Sequence, residues 1–227
     1  DSVGVRMPSN KLAHDIIKRS GIPFSAPSAN LPGKPSPTTA QDVFEDMNGR
    51  IPMILDGGDA EVGLESTVIS LKGDEIHLLR PGFVTAEDLR TLTDKVVISP
   101  AVLSALEQGV KPESPGMKYR HYAPKSPVTM VFGEEGKVLD FFRKKLSEGC
   151  GVLCFDEDVS LLNTSGNTQN VISFGSKSDL LSQAAGLFDA LRRFDSVSVP
   201  HIYTRETSRD ELGLAISNRL LRACAFD

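Results

Sequence analysis

The chain has 227 residues, enough for one large domain or two small ones, each with its own core. With 40% hydrophobic and 24% charged residues and a net charge of −5, it has a globular balance that argues against broad electrostatic binding of nucleic acid. No apolar run is long enough to span a membrane, and the first residues lack the apolar core of a signal peptide. Cys150, Cys154 and Cys224 sit in apolar contexts without CxxC spacing, as expected of packed, reduced thiols in a cytoplasmic protein with no membrane partner and no metal site.

The opening Ser2–Pro8 reads as the end of a strand. Ser9 or Asn10 then caps a helix to about Ser20, with Leu12, Ile16 and Ile17 on one face and Gly21 as its stop. Ile22–Phe24 leads as a short extended piece into Ser25-Ala26-Pro27-Ser28-Ala29-Asn30-Leu31-Pro32-Gly33-Lys34-Pro35-Ser36-Pro37-Thr38-Thr39. Nothing large and apolar occurs there except Leu31, so the segment adds little to a core. It is instead a constrained loop with many hydroxyls and backbone N–H groups, which suits an anion such as phosphate and equally suits a polar connector. Thr39 caps the next helix, whose apolar face holds Val43, Phe44 and Met47. Ile51–Gly58 reads as a strand ending in a turn. Ser66–Leu71 pairs with Glu75–Arg80 as a hairpin over Lys72-Gly73-Asp74, and Thr85–Leu89 begins a short helix.

Lys111–Pro124 has no helical or strand period and marks a boundary. Beyond it, strands are expected at 128–132, 151–155, 171–174 and 196–203. Helices are expected at 138–146, 180–194 and 214–225. Alternation of this kind predicts a parallel, Rossmann-like sheet, although the GxGxxG fingerprint is absent.

Four features of the first half share one chemistry: polar groups suited to anions, beside glycine or proline. They are Gly4-Val5-Arg6-Met7-Pro8, Ser25–Asn30 with Ser36, Glu65-Ser66-Thr67-Val68, and Leu79-Arg80-Pro81-Gly82. Arg6 and Arg80 are natural carboxylate or phosphate clamps, and Ser28, Ser36, Ser66 and Thr67 can each donate or accept. Taken singly, an arginine beside a proline is also an ordinary surface ion pair.

In this order and spacing the four features resemble the second half of the YrdC domain in the YrdC/Sua5 family. Ser114-Pro115-Gly116-Met117-Lys118-Tyr119-Arg120-His121-Tyr122-Ala123-Pro124 is similar to the linker of the two-domain Sua5 type. Leu212-Gly213-Leu214-Ala215-Ile216-Ser217-Asn218-Arg219-Leu220 matches the close of that type's C-terminal domain. The resemblance implies an α/β chain. A partial YrdC-like twisted open sheet would occupy residues 1–110, a linker or lid 111–126, and a Rossmann-like Sua5 domain 127–227.

For activity, the resemblance implies a nucleotidyltransferase that condenses L-threonine, bicarbonate and ATP to threonylcarbamoyl-AMP, releasing pyrophosphate. The product supplies t6A at position 37 of tRNA. Mg²⁺ would be the helper ion, and tRNA or t6A-transferase proteins the further partners. Carried over, Arg6, Ala26 and Ser66 would hold L-threonine. Ser2, Ser28, Asn30, Ser36, Arg80 and Ser114 would hold ATP. Tyr119, Arg120 and His121 would form a lid, and no catalytic residue is assigned. The family's N-terminal Lys-x-Arg motif has no counterpart here, so this polypeptide alone is expected to be weakly active or inactive. A competing reading is a non-catalytic nucleotide- or RNA-binding module whose basic concave surface meets double-stranded RNA. A carbamoyl-transfer subunit of the hydrogenase-maturation kind fits less well, because its zinc-finger cysteines are missing.

Overall fold

A computed structural model describes residues 3–102, 123–162 and 168–224. Helix α1 (Lys11–Ser20) starts where the Asn10 side chain accepts from the Ala13 N–H. Lys18 and Arg19 stand in its last turn, where they favour the negative end of the helix dipole. Gly21 ends it in the left-handed region at φ 69°, a conformation glycine adopts without steric cost. Helix α2 (Ala40–Met47) opens on a capping box in which Thr39 and Asp42 satisfy each other's backbone N–H groups.

Strands β1 (Val68–Lys72) and β2 (Glu75–Arg80) form the expected hairpin, and Lys72 pairs with Glu75 across a two-residue Gly73-Asp74 turn. Thr85 caps α3 (Ala86–Arg90) with a second capping box. A strand not foreseen, β3 (Val96–Ile98), lies parallel to β2 and gives a small mixed sheet of order β1-β2-β3.

Two expected strands are corrected. Residues 3–8 and 51–58 are not in strands, and among the described residues they join no ladder. A strand requires a neighbour for its alternating N–H and C=O groups. These segments instead leave Val3, Val5, Met7, Met53 and Leu55 exposed, and α1 buries none of its residues.

The second sheet comes from β4 (Val128–Val131), β5 (Gly151–Cys154), β6 (Val171–Ser173) and β7 (Ile202–Arg205), all parallel in the order β4-β7-β5-β6. Its connections are α4 (Glu135–Ser147), α5 (Asp156–Leu162) and α6 (Leu180–Val197), and α7 (Leu212–Ala223) follows β7. The last strand is shifted from its expected place at 196–203. Helix α6 continues through Val197 and ends at Ser198 (φ 59°), so the strand begins at Ile202. Helices α4 and α5 cover one face through Phe142, Leu146 and Leu162, while α6 and α7 cover the other through Leu187, Phe188, Ile216 and Leu220.

Helix α7 is buried along nearly its whole length because it is wedged between the two sheets. Its Ile216 and Leu220 belong to the core of the parallel sheet, whereas Leu214 packs with Ile76, Leu78, Ala86, Leu89 and Val102 of the smaller one. From the same helix, Asn218 donates to the carbonyl of Val102 and Arg222 to that of Ala101 at 2.8 Å. The loop before β1 docks on α6 at Gly63, whose φ is 71° and where a Cβ would meet the Ala184 carbonyl oxygen at 2.6 Å.

Candidate functional site

The hydroxyl-rich loop is stapled from within. Asn30 Nδ2 donates to the carbonyls of Leu31 and Lys34 at 3.0 and 3.1 Å, closing a turn that Gly33 permits at φ 87°. Asn30 Oδ1 is left buried without a partner, so what this side chain still offers a ligand is an acceptor. Ser28 and Ala26 are exposed, and the Arg6 guanidinium donates to the Ala26 carbonyl at 3.4 Å. Two of the residues expected around threonine thus meet.

The far end of the loop is anchored from α6. Arg192 donates to the Pro35 carbonyl at 2.7 Å and to Asp46 at 2.9 Å, and Asp46 also pairs with Lys34 at 2.6 Å. Burial alone would push the Asp46 carboxyl up, but Arg192, Lys34 and the Leu31 N–H together hold it below the usual carboxylate range.

Ser36 and Arg219 converge on Glu65. The Ser36 hydroxyl donates to Glu65 Oε1 at 2.8 Å, while Arg219 Nε donates to Glu65 Oε2 at 2.8 Å. Arg219 is fully buried and also donates to the carbonyls of Glu65 at 3.3 Å and Pro81 at 3.0 Å. Burial would raise the Glu65 carboxyl, and Arg219, Ser36 and Arg80 outweigh it, so the group stays ionised. Beside it, buried Arg80 donates through Nε and Nη2 to the carbonyl of exposed Ser66 at 3.2 and 2.9 Å. Gly82 lets this strand end approach closely, since a Cβ there would stand 2.4 Å from the Thr67 nitrogen.

Among the expected residues Arg6 meets Ala26 and Arg80 meets Ser66, while Ser36 meets Glu65, which was not expected in the site. Ser2, Ser114, Tyr119, Arg120 and His121 lie outside the described residues, as does the linker at 111–122. Sequence reasoning gave no role to Glu65, Asp46, Arg192 or Arg219. The available signal for Arg219 was a charged residue set between Leu214, Ile216 and Leu220 on a mostly apolar helix, which calls for a buried partner. Among the described residues, no group of three or more His, Cys, Asp or Glu side chains could hold a metal ion, and Glu65 is taken up by Arg219 and Ser36. These residues do not fit a resident magnesium ion. Cys150, Cys154 and Cys224 are buried and outside any disulfide, and burial pushes the Cys154 thiol up to about 12.

A concavity of about 270 Å³ opens at the carboxyl ends of β4 and β7, lined by Val131, Phe132, Gly133, Val138, Arg205 and Glu206 among others. Adjacent strands there lead into α4 and α7 on opposite faces, the usual place for a ligand crevice in a parallel sheet. Its arginine, Arg205, is engaged by Glu135 and Asp158, each at 3.4 Å.

A small mixed sheet and a parallel sheet, with a proline- and hydroxyl-rich loop held by Arg192 from helix α6, define an α/β protein. The chain belongs to the threonylcarbamoyl-AMP synthase family. Residues 84–225 match the family model described as threonylcarbamoyl-AMP synthase, C-terminal domain, and residues 1–82 match a second described as telomere recombination. Similar proteins include the threonylcarbamoyl-AMP synthases of Bacillus subtilis (40% identical over 98% of this chain) and Pyrococcus abyssi (38% over 100%). The crystal structure of P. abyssi Sua5 complexed with L-threonine superimposes over 97% of this chain at TM-score 0.82 and 36% identity. The chain spans 63% and 65% of the length of the two relatives and 63% of that crystal chain.

Proposed function

We propose that residues 1–227 supply part of the site of a protein that forms threonylcarbamoyl-AMP from L-threonine, bicarbonate and ATP, releasing pyrophosphate. The observation that carries the proposal is the Arg6 guanidinium set against the Ala26 carbonyl at the exposed loop, on a fold shared with a relative solved with L-threonine. Arg6 would take the amino acid's carboxylate, with the Ala26 backbone and the Ser66 hydroxyl completing that pocket. Ser28, Asn30 and Ser36 would face the nucleotide. Arg80 would act from beneath through the Ser66 backbone, with its charge close to the developing negative charge. A carbamate formed on the threonine nitrogen attacks the α-phosphorus, and pyrophosphate departs. The protein's part is positioning and charge stabilisation. A magnesium ion would arrive on the phosphates of its nucleotide as part of the substrate.

In this reading residues 1–110 carry the reaction and 127–227 support it. The product serves tRNA modification, and three cysteines outside any disulfide suit a reducing compartment such as the cytoplasm. Among the described residues no helix is long and apolar enough to cross a membrane.

The experiment is pyrophosphate release by the intact protein that requires threonine and bicarbonate together. Arg6→Ala should raise KM for threonine at least tenfold and leave KM for ATP within twofold, as expected for loss of a bidentate carboxylate contact worth about 1.5–3 kcal/mol. Equal changes in both constants would reject Arg6 as the carboxylate clamp.

A further inference from the structure

We propose that Arg219, on the last helix, is a positioning residue for the substrate loops: through the Glu65 carboxylate it sets the direction in which the Ser36 hydroxyl faces the site. The inference rests on the proposed function for the meaning of that site. The contact itself is geometric.

Arg219 belongs to α7, whose main packing is with the parallel sheet, yet its guanidinium reaches into the smaller half of the molecule. It holds one Glu65 oxygen at 2.8 Å, while the other receives the Ser36 hydroxyl at 2.8 Å. An ionised carboxylate has no proton to give, so Ser36 must be the donor. Its proton is committed inward, and its lone pairs are what it can turn toward a ligand. Ser36 thus meets a ligand N–H or a cation rather than a phosphate oxygen, which narrows the part it plays to an acceptor. The same guanidinium binds the Glu65 and Pro81 carbonyls, at the two backbone segments that carry Ser66 and Arg80. Arg192 acts in parallel from α6 on the Pro35 carbonyl. Helices α6 and α7 in this sense hold from behind loops whose residues lie more than a hundred positions earlier.

The test uses the intact protein with Arg219→Met, Arg219→Lys, Ser36→Ala, the double variant Arg219→Met/Ser36→Ala, and Arg222→Met as control. Arg222 is on the same helix and donates to the Ala101 carbonyl, whereas Arg219 donates to Glu65. Arg219→Met should raise KM for ATP at least tenfold with kcat changed less than threefold, and Arg219→Lys should recover part of the loss. Adding Ser36→Ala to Arg219→Met should change KM no more than twofold, because the two residues act as one unit. Arg222→Met should lower the melting temperature and leave KM within twofold.

Amide hydrogen exchange over residues 28–37 of the unliganded protein is the second readout. Exchange should quicken at least fivefold in Arg219→Met and stay unchanged in Arg222→Met. Equal effects of the two arginine variants on KM and exchange, or a full additional loss on combining Arg219→Met with Ser36→Ala, would overturn the proposal. A wild-type protein without threonine- and bicarbonate-dependent turnover sinks the functional reading alone, and the exchange comparison then decides the positioning role.

Discussion

Asp46→Ala removes a carboxylate that joins three parts of the molecule. The Asp46 side chain is inaccessible to solvent, pairs with Arg192 at 2.9 Å and Lys34 at 2.6 Å, and accepts from the Leu31 N–H at 3.3 Å. Breaking a buried pair by deleting one partner costs about 3–5 kcal/mol, because the remaining charge stays uncompensated. Here Lys34 is about one-third exposed and can turn to water, and Arg192 keeps the Pro35 carbonyl. The cost therefore falls at the lower end, about 3 kcal/mol.

With a urea slope of about 2 kcal/mol/M, the unfolding midpoint at pH 7 drops by about 1.5 M. The pH dependence has a definite sign. The folded-state pKa of Asp46 lies below its unfolded value, so its contribution is present above the unfolded value near 4 and is lost as pH falls through the folded one. The gap between wild type and Asp46→Ala should accordingly narrow as the medium is acidified below about pH 4. A midpoint shift at pH 7 under about 0.3 M, or a gap that widens in acid, would refute the argument.

Gly63→Ala must place a Cβ 2.6 Å from the Ala184 carbonyl oxygen at a φ of 71°. Left-handed strain and overpacking together should cost about 2–5 kcal/mol, read by chemical denaturation, and a loss under about 0.5 would mean that the loop and α6 can part freely. The Cys154 thiol, pushed up to about 12 and fully buried, should resist iodoacetamide at pH 8 in the folded protein and react on unfolding in urea. Prompt alkylation of Cys154 in the native state, located by peptide mass mapping, would contradict that burial.

Local chemistry was the readable part of the chain. Asn10, Thr39 and Thr85 start helices because each side chain satisfies an N–H three positions ahead, and that geometry is complete within one turn. The β1–β2 hairpin was equally visible from its alternation around Gly73. Strand β3 was missed because three residues carry too little pattern, and the last strand was set too early because helix α6 extends to Val197 without a glycine stop. In the site, Arg6, Ser36, Ser66 and Arg80 could be named from their polar contexts, whereas the partners that orient them could not.

What the sequence determined by itself was the two-part α/β plan, the hydroxyl loop and the side chains it offers, since these follow from periodicity, capping and residue chemistry over short spans. The tertiary structure alone decided that Glu65 faces Arg219 across 154 positions and that Arg192 reaches Asp46 across 146. It also set the order β4-β7-β5-β6 and left residues 3–8 and 51–58 out of any strand. Buried charges and strand edges take their partners from whatever the folded chain brings alongside, and no local pattern encodes which distant segment that is.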